Sequence, residues 1–118
     1  MSDDADNNTT IQAFWQAYNE ERLDDCIDIY APEARLRHFA RGIDVTGRDA
    51  IRDLMHSALA AVPGRRSQVV NILSEGDAVV TENHFEGTIA GSGQRITVDM
   101  CYIFQFVDGK VVDQREYA

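Results

Sequence analysis

Apolar residues recur at helical spacing in the first half of the chain and at every second position in the second half. Ile11, Phe14, Trp15 and Tyr18 fall at i, i+3, i+4 and i+7, one face of an amphipathic helix. Thr9 or Thr10 is placed to cap it, because a hydroxyl there can accept a backbone N–H that has no helical partner. Residues 1–9 are therefore expected as a mobile tail and residues 10–118 as one domain. Leu23, Cys26, Ile27 and Tyr30 mark the inner face of a short second helix, which Pro32 should stop because proline cannot donate a helical hydrogen bond. From Ala34 to Phe39 the chain alternates as a strand, with Ala34, Leu36 and His38 on one face and Arg35, Arg37 and Phe39 on the other. Thr46-Gly47-Arg48-Asp49 reads as a capped helix start. Ile51, Leu54, Met55, Ala58, Leu59 and Val62 then keep helical spacing until Pro63-Gly64.

Beyond Gly64 the period becomes two, and Ser67–Leu73, Ala78–Thr88, Arg95–Val107 and Lys110–Tyr117 read as strands. Glu75-Gly76-Asp77, the Gly91–Gly93 region and Asp108-Gly109 separate them. Asp-Gly is a strong hairpin signal because a type I′ turn needs positive φ at both central residues. Helices gathered on one side of such a meander predict an α+β fold. Long hairpin arms twist strongly, so the expected shape is a cone, a curved antiparallel β-sheet with three helices of the N-terminal half packed on its concave face.

Composition narrows the partners. The chain has 118 residues, 44% hydrophobic and 26% charged, which suits one ordinary globular domain. A net charge of -9 argues against nucleic acid and against an anionic membrane surface, since both need a positive footprint. The start MSDDADNNTT is acidic and polar, unlike a signal peptide, and no apolar run reaches membrane-spanning length. Cys26 and Cys101 form no paired motif, so a reduced, cytoplasmic protein is expected.

Phe14-Trp15-Gln16-Ala17-Tyr18, Asp28-Ile29-Tyr30-Ala31-Pro32-Glu33-Ala34, Thr46-Gly47-Arg48-Asp49-Ala50-Ile51, Glu75-Gly76-Asp77 and Phe106-Val107-Asp108-Gly109-Lys110-Val111-Val112 together resemble a SnoaL-like domain. That family is a branch of the nuclear-transport-factor-2-like superfamily and is related to polyketide cyclases and ketosteroid isomerases. The resemblance runs from about Ile11 to Tyr117 and implies a cystatin-like roll around a small-molecule pocket. It does not select a reaction, because fold does not imply function.

Strand parity and the resemblance together nominate a site, although parity alone leaves open whether Val112, Gln114 and Glu116 or Val111, Asp113, Arg115 and Tyr117 face inward on the last strand. Ile96, Val98, Met100, Tyr102, Phe104 and Phe106 share a nearly continuous apolar face, which should be the inner one. Glu116 matches the acidic general base of SnoaL-like cyclases. Tyr102 matches the cyclases' His and the isomerases' protonated Asp, and His38 the isomerases' general-base Asp. Phe14 falls where the isomerases carry their oxyanion-hole Tyr, so the isomerase set departs in kind here. The expected catalytic residues are Glu116, Tyr102 and His38. Glu116 would take a proton beside a carbonyl while Tyr102 or protonated His38 hydrogen-bonds to the developing enolate oxygen. Each has an ordinary alternative: a solvent-facing strand residue for His38, a core aromatic for Tyr102, a frayed chain end for Glu116.

Phe14, Trp15, Tyr18, Met55 and Leu59 from the helices, with Leu36, Asn83, Phe85, Val98, Met100 and Phe104 from the strands, are expected to line the pocket. Neither cofactor nor metal is expected. Glu82, His84 and Glu86 alternate like a metal site, but parity points them to solvent or a dimer interface. Arg41 could attract a carboxylated ligand if the loop 40–45 forms the rim; otherwise Arg35, Arg37, Arg41 and Arg48 balance nearby acids on the surface. The expected partners are a small hydrophobic or carbonyl-containing molecule and a second copy of the chain, paired through the outer sheet face near Thr97, Cys101 and Ile103. An isomerase or cyclase, an epoxide-hydrolase-like enzyme that activates water, a non-catalytic ligand-binding module and a partner-binding domain all remain open.

Overall fold

Helix α1 (Asp3–Asn19) packs Ile11, Phe14 and Trp15 inward, as its spacing requires. This is a computed structural model, and it describes residues 3–118. The segment expected as a tail is helical from Asp3 onward. The Thr9 and Thr10 hydroxyls do not cap; they donate to the carbonyls of Ala5 and Asp6, at 2.9 and 3.0 Å. Tertiary contacts explain the longer helix. Asn7 is buried, and Asn8 Nδ2 donates to Ser74 Oγ at 2.6 Å, fastening the first turns to the sheet.

Helix α2 (Leu23–Ile27) buries Leu23, Cys26 and Ile27. Strand β1 (Tyr30–His38) starts four residues earlier than its alternation predicts and contains Pro32, which therefore stops no helix. Its pairing is irregular between Tyr30 and Arg35, where a proline without an N–H is tolerated. A single turn of 3-10 helix (Phe39–Arg41) leads to a short strand, β2 (Ile43–Thr46), where a loop was expected. Helix α3 (Arg48–Ala61) begins after Gly47, with no side-chain cap from Thr46. Strands β3 (Arg66–Glu75), β4 (Ala78–Thr88), β5 (Arg95–Val107) and β6 (Lys110–Tyr117) follow, the last three at the expected bounds.

The strands form one curved sheet in the order β2-β1-β6-β5-β4-β3. The α+β class holds, but the sheet is mixed. Strand β1 pairs with β6 in parallel, because the chain crosses through α3 and the whole meander before β6 returns beside it. All other pairs are antiparallel.

Parity settles the inner face. Met100, Tyr102, Phe104 and Phe106 on β5 are buried, as are Val79, Thr81 and Asn83 on β4. Phe14 joins helix to sheet, its ring meeting those of Trp15, Tyr30 and Phe104 edge-on at 4.9, 6.3 and 5.7 Å. Such pairs add about 0.5–1.5 kcal/mol each beyond the area they bury.

Candidate active site

Sheet register places the three candidate catalytic residues in one row. His38 on β1 is the partner of Glu116 on β6, and Glu116 is the partner of Tyr102 on β5. Directly opposed residues on one face stand about 4.5–5.5 Å apart at Cβ. Glu116 is thus flanked on both sides, and all three side chains line a cavity of about 530 Å³. That volume lies within the usual range for small-molecule pockets, roughly 300–1,000 Å³.

Glu116 is held by a relay. Gln114, two residues earlier on the same strand face, donates from Nε2 to Glu116 Oε2 at 2.9 Å. The Gln114 carbonyl in turn accepts from the Tyr30 hydroxyl at 2.5 Å. Tyr30 and Gln114 are buried, so the amide orientation and the carboxylate that it holds are locked from below. Burial pushes the Glu116 carboxyl up to about 7, against the pull of the Gln114 hydrogen bond and the Arg41 charge.

Its neighbours remain neutral donors. Burial, then the charge of Glu116, raises the Tyr102 phenol well above its ordinary value. Burial and Arg41 lower His38 from 6.5, which favours the uncharged imidazole near neutrality. Its Nδ1 is buried without a hydrogen-bond partner among the described residues. Burial also raises Tyr18, and the adjacent Arg65 charge pulls part of that rise back.

Of the expected lining residues, Phe14, Trp15, Tyr18, Leu36, Met55, Phe85, Val98 and Met100 border the cavity. Leu59, Asn83 and Phe104 do not. Leu59 turns toward α2, beside Leu23 and Asp24. Asn83 donates to Ser67 Oγ at 2.9 Å under the sheet's far end, and Phe104 is sealed in the core behind Phe14 and Trp15. Arg41 lines the cavity from the turn after β1, whereas Arg35 and Arg37 are paired with Asp44 and Asp113.

Among the lining residues that the expected site did not include are Gln114 and Arg65. Gln114 shares its strand parity with Glu116, which was the available signal. Arg65 lies between a helix end and a strand, where no periodicity speaks. Glu82, His84 and Glu86 stand on the outer parity of β4, where His84 Nδ1 contacts Asp99 Oδ1 at 2.8 Å and Arg95 pairs with Glu86 at 3.1 Å.

Residues 11–114 match the SnoaL-like domain family, and the chain belongs to it. No curated protein matches the chain. Among solved structures, it is similar to Bal32a from a soil-derived mobile gene cassette, with TM-score 0.88 and 22% identity over 98% of this chain and 90% of that one. An LEH-like epoxide hydrolase from M. tuberculosis superposes with TM-score 0.84 and 20% identity over 98% and 84% of the two chains. A protein of ketosteroid isomerase-like fold from Catenulispora acidiphila, solved with trimethylamine, gives TM-score 0.84 and 18% identity over 92% and 84%. These likenesses establish the fold.

The geometry has defined chemical capacities. A carboxyl near 7 exchanges protons readily at neutral pH, the condition for general base catalysis. Two neutral donors beside it can face developing negative charge in an apolar hollow, where such hydrogen bonds strengthen. Among the described residues, no group of three or more acidic, His or Cys side chains could hold a metal ion. No described helix is long and apolar enough to cross a membrane.

Proposed function

We propose that the cavity binds a small hydrophobic carbonyl compound and that Glu116 removes a proton from the carbon beside the carbonyl, in an isomerase or cyclase reaction. The observation that carries this reading is the row His38–Glu116–Tyr102, with the central carboxylate fixed by Gln114 and Tyr30. In the first step Glu116 takes the proton and the C–H electron pair moves to form the enolate. Tyr102 and neutral His38 donate to its oxygen. Glu116 then returns the proton at another carbon, or the enolate carbon attacks an electrophile within the same molecule.

Exchange of substrate α-protons for deuterium, followed by NMR over a panel of cyclic ketones, tests the base. Wild-type protein should accelerate exchange, and Glu116→Gln should lose about 10²–10⁴-fold, the usual contribution of a general base. Exchange that is unaffected in Glu116→Gln rejects this role, and absence of exchange across the panel rejects the carbonyl chemistry.

The same carboxylate could deprotonate water instead, a second reading that the likeness to an LEH-like epoxide hydrolase favours. Diol formation from epoxides, lost in Glu116→Gln, would mark it. Ligand retention indifferent to Glu116 would leave a binding module. The proposal further has the chain working as a homodimer paired across the outer sheet face, where Val80 and Ile103 are half-buried cross-strand neighbours. The free thiols of Cys26 and Cys101 fit a cytoplasmic setting.

A further inference from the structure

Arg65 is a buried cation with no counter-charge. It is 2% exposed, and its Nε, Nη1 and Nη2 lack a hydrogen-bond partner among the described residues. The guanidinium lies 3.8 Å from the centroid of the Tyr18 ring, and the side chain lines the cavity. Arg22, Arg35, Arg37, Arg52, Arg95 and Arg115 all pair with carboxylates, at the surface or partly buried. Arg41, Arg48 and Arg66 also lack such a pair but are not buried, so Arg65 is the buried arginine without one among the described residues. A cation–π contact, with the neutral Tyr18 phenol as a further weak partner, falls short of what burying an ion costs.

A second donor nearby is equally unmatched. Trp15 Nε1 is buried without an acceptor, and its ring meets Tyr18 at 5.1 Å. Guanidinium and indole N–H groups donate only. Two donor-only groups thus flank one tyrosine on the cavity wall, and the carboxylate of Glu116 is engaged with Gln114. The missing chemistry is an acceptor that carries negative charge.

We propose that the ligand of this cavity is a small hydrophobic carboxylate and that Arg65 is its counter-ion, with the Trp15 indole as an auxiliary donor. Arg65 presents a planar fork that matches carboxylate oxygens. A monoanion matches the charge of Arg65, whereas a phosphate dianion would bring a second charge into an apolar hollow. The guanidinium nitrogens are closed off from water in the arrangement seen, so the carboxylate reaches them as the Tyr18 ring turns aside. The proposal rests on the carbonyl reading above and narrows it to keto acids, with the carboxylate at Arg65 setting which carbon faces Glu116.

Calorimetry at pH 7 with a panel of hydrophobic carboxylates and their matched primary amides, such as 2-naphthoate and 2-naphthamide, tests the pairing. Wild-type protein should prefer carboxylates by about 30-fold or more. Arg65→Met should erase that preference while melting no lower than wild type, because it removes an unpaired buried charge. Arg65→Lys should keep part of it, and Glu116→Gln should still bind carboxylates. Equal affinity for carboxylates and amides, no carboxylate binder in the panel, or a preference that survives Arg65→Met overturns the proposal. So does a large fall in melting temperature in both Arg65 variants, which would make Arg65 a structural clamp on Tyr18. The two readings fail separately. A carboxylate preference without proton exchange sinks the base mechanism alone, and exchange of neutral ketones without that preference sinks the counter-ion alone.

Discussion

A carboxyl whose folded pKa is raised makes folding depend on pH in a definite direction. Burial moves Glu116 from 4.5 to about 7. Between those values the folded chain keeps a proton that the unfolded chain has released. Stability therefore falls as pH rises through that window and is level above it, by on the order of 3 kcal/mol at most. His38 acts in the opposite sense, since burial lowers it from 6.5 and the folded chain binds fewer protons as pH falls below that value. Comparing wild type with Glu116→Gln isolates the carboxyl. The variant should gain several degrees in melting temperature relative to wild type between pH 5 and pH 8, and a constant difference would place the carboxyl in ordinary solvent. The family resemblance nominated Glu116, because parity left the inner face of the last strand open, and nothing local showed that it would be held so near the chain end. Its support comes from the parallel neighbour β1 and from Tyr30, which lies 84 positions from Gln114. Arg65 was less legible still, because its meaning is the absence of a partner, which only three-dimensional packing reveals.

At the scale of elements, the legible strands are those whose alternation is bounded by turn chemistry. Strands β4, β5 and β6 carry long period-two patterns, and Asp108-Gly109 joins β5 to β6 with both residues at positive φ. Helix starts and β1 were harder. The run Ile29-Tyr30-Ala31 is too short for periodicity to separate helix from strand, and Pro32 suggested a stop where the sheet tolerates an irregularity. One close contact joins α3 to β4 at the cavity wall. A Cβ built on Gly87 would stand 2.4 Å from Val62 Cγ1 and 3.4 Å from Arg65 Cβ. Val62 is β-branched and stiff at χ1, so the wall must shift to admit a methyl group. Gly87→Ala should cost about 1–3 kcal/mol, the usual range for overpacking. Urea unfolding should show a lower midpoint with an unchanged slope, and an unchanged midpoint would mean that the segment after α3 yields freely.

The whole molecule presents two unlike sheet faces, and the outer one bears on assembly. Val80, Ile103 and Arg115 form one cross-strand row there, and Glu82, Cys101 and Tyr117 the next. Tyr117 stacks on Phe39 at 4.9 Å, with 43% and 49% of the two residues exposed. Arg35, Arg37 and Arg115 near β1 and β6 pair with Asp44 and Asp113, and Glu86 and Asp99 on β4 and β5 contact Arg95 and His84, so the charges of this face are largely matched within one copy. A two-fold axis through the sheet centre would set this face of one copy against the same face of the other, as an isologous pair requires. Each chain also carries a net charge of -9, so two copies repel at long range. Salt screens that repulsion over a Debye length of about 8 Å at physiological strength and leaves apolar contact largely intact. Sedimentation equilibrium at tens of micromolar should therefore give about twice the 13.2 kDa chain mass, with association tightening as salt rises. Ile103→Asp should return monomers that keep the wild-type circular dichroism, because its side chain faces away from the cavity. A wild-type monomer at every salt concentration would reject the dimer and leave the outer face free, without touching the row His38–Glu116–Tyr102 on the other side of the sheet.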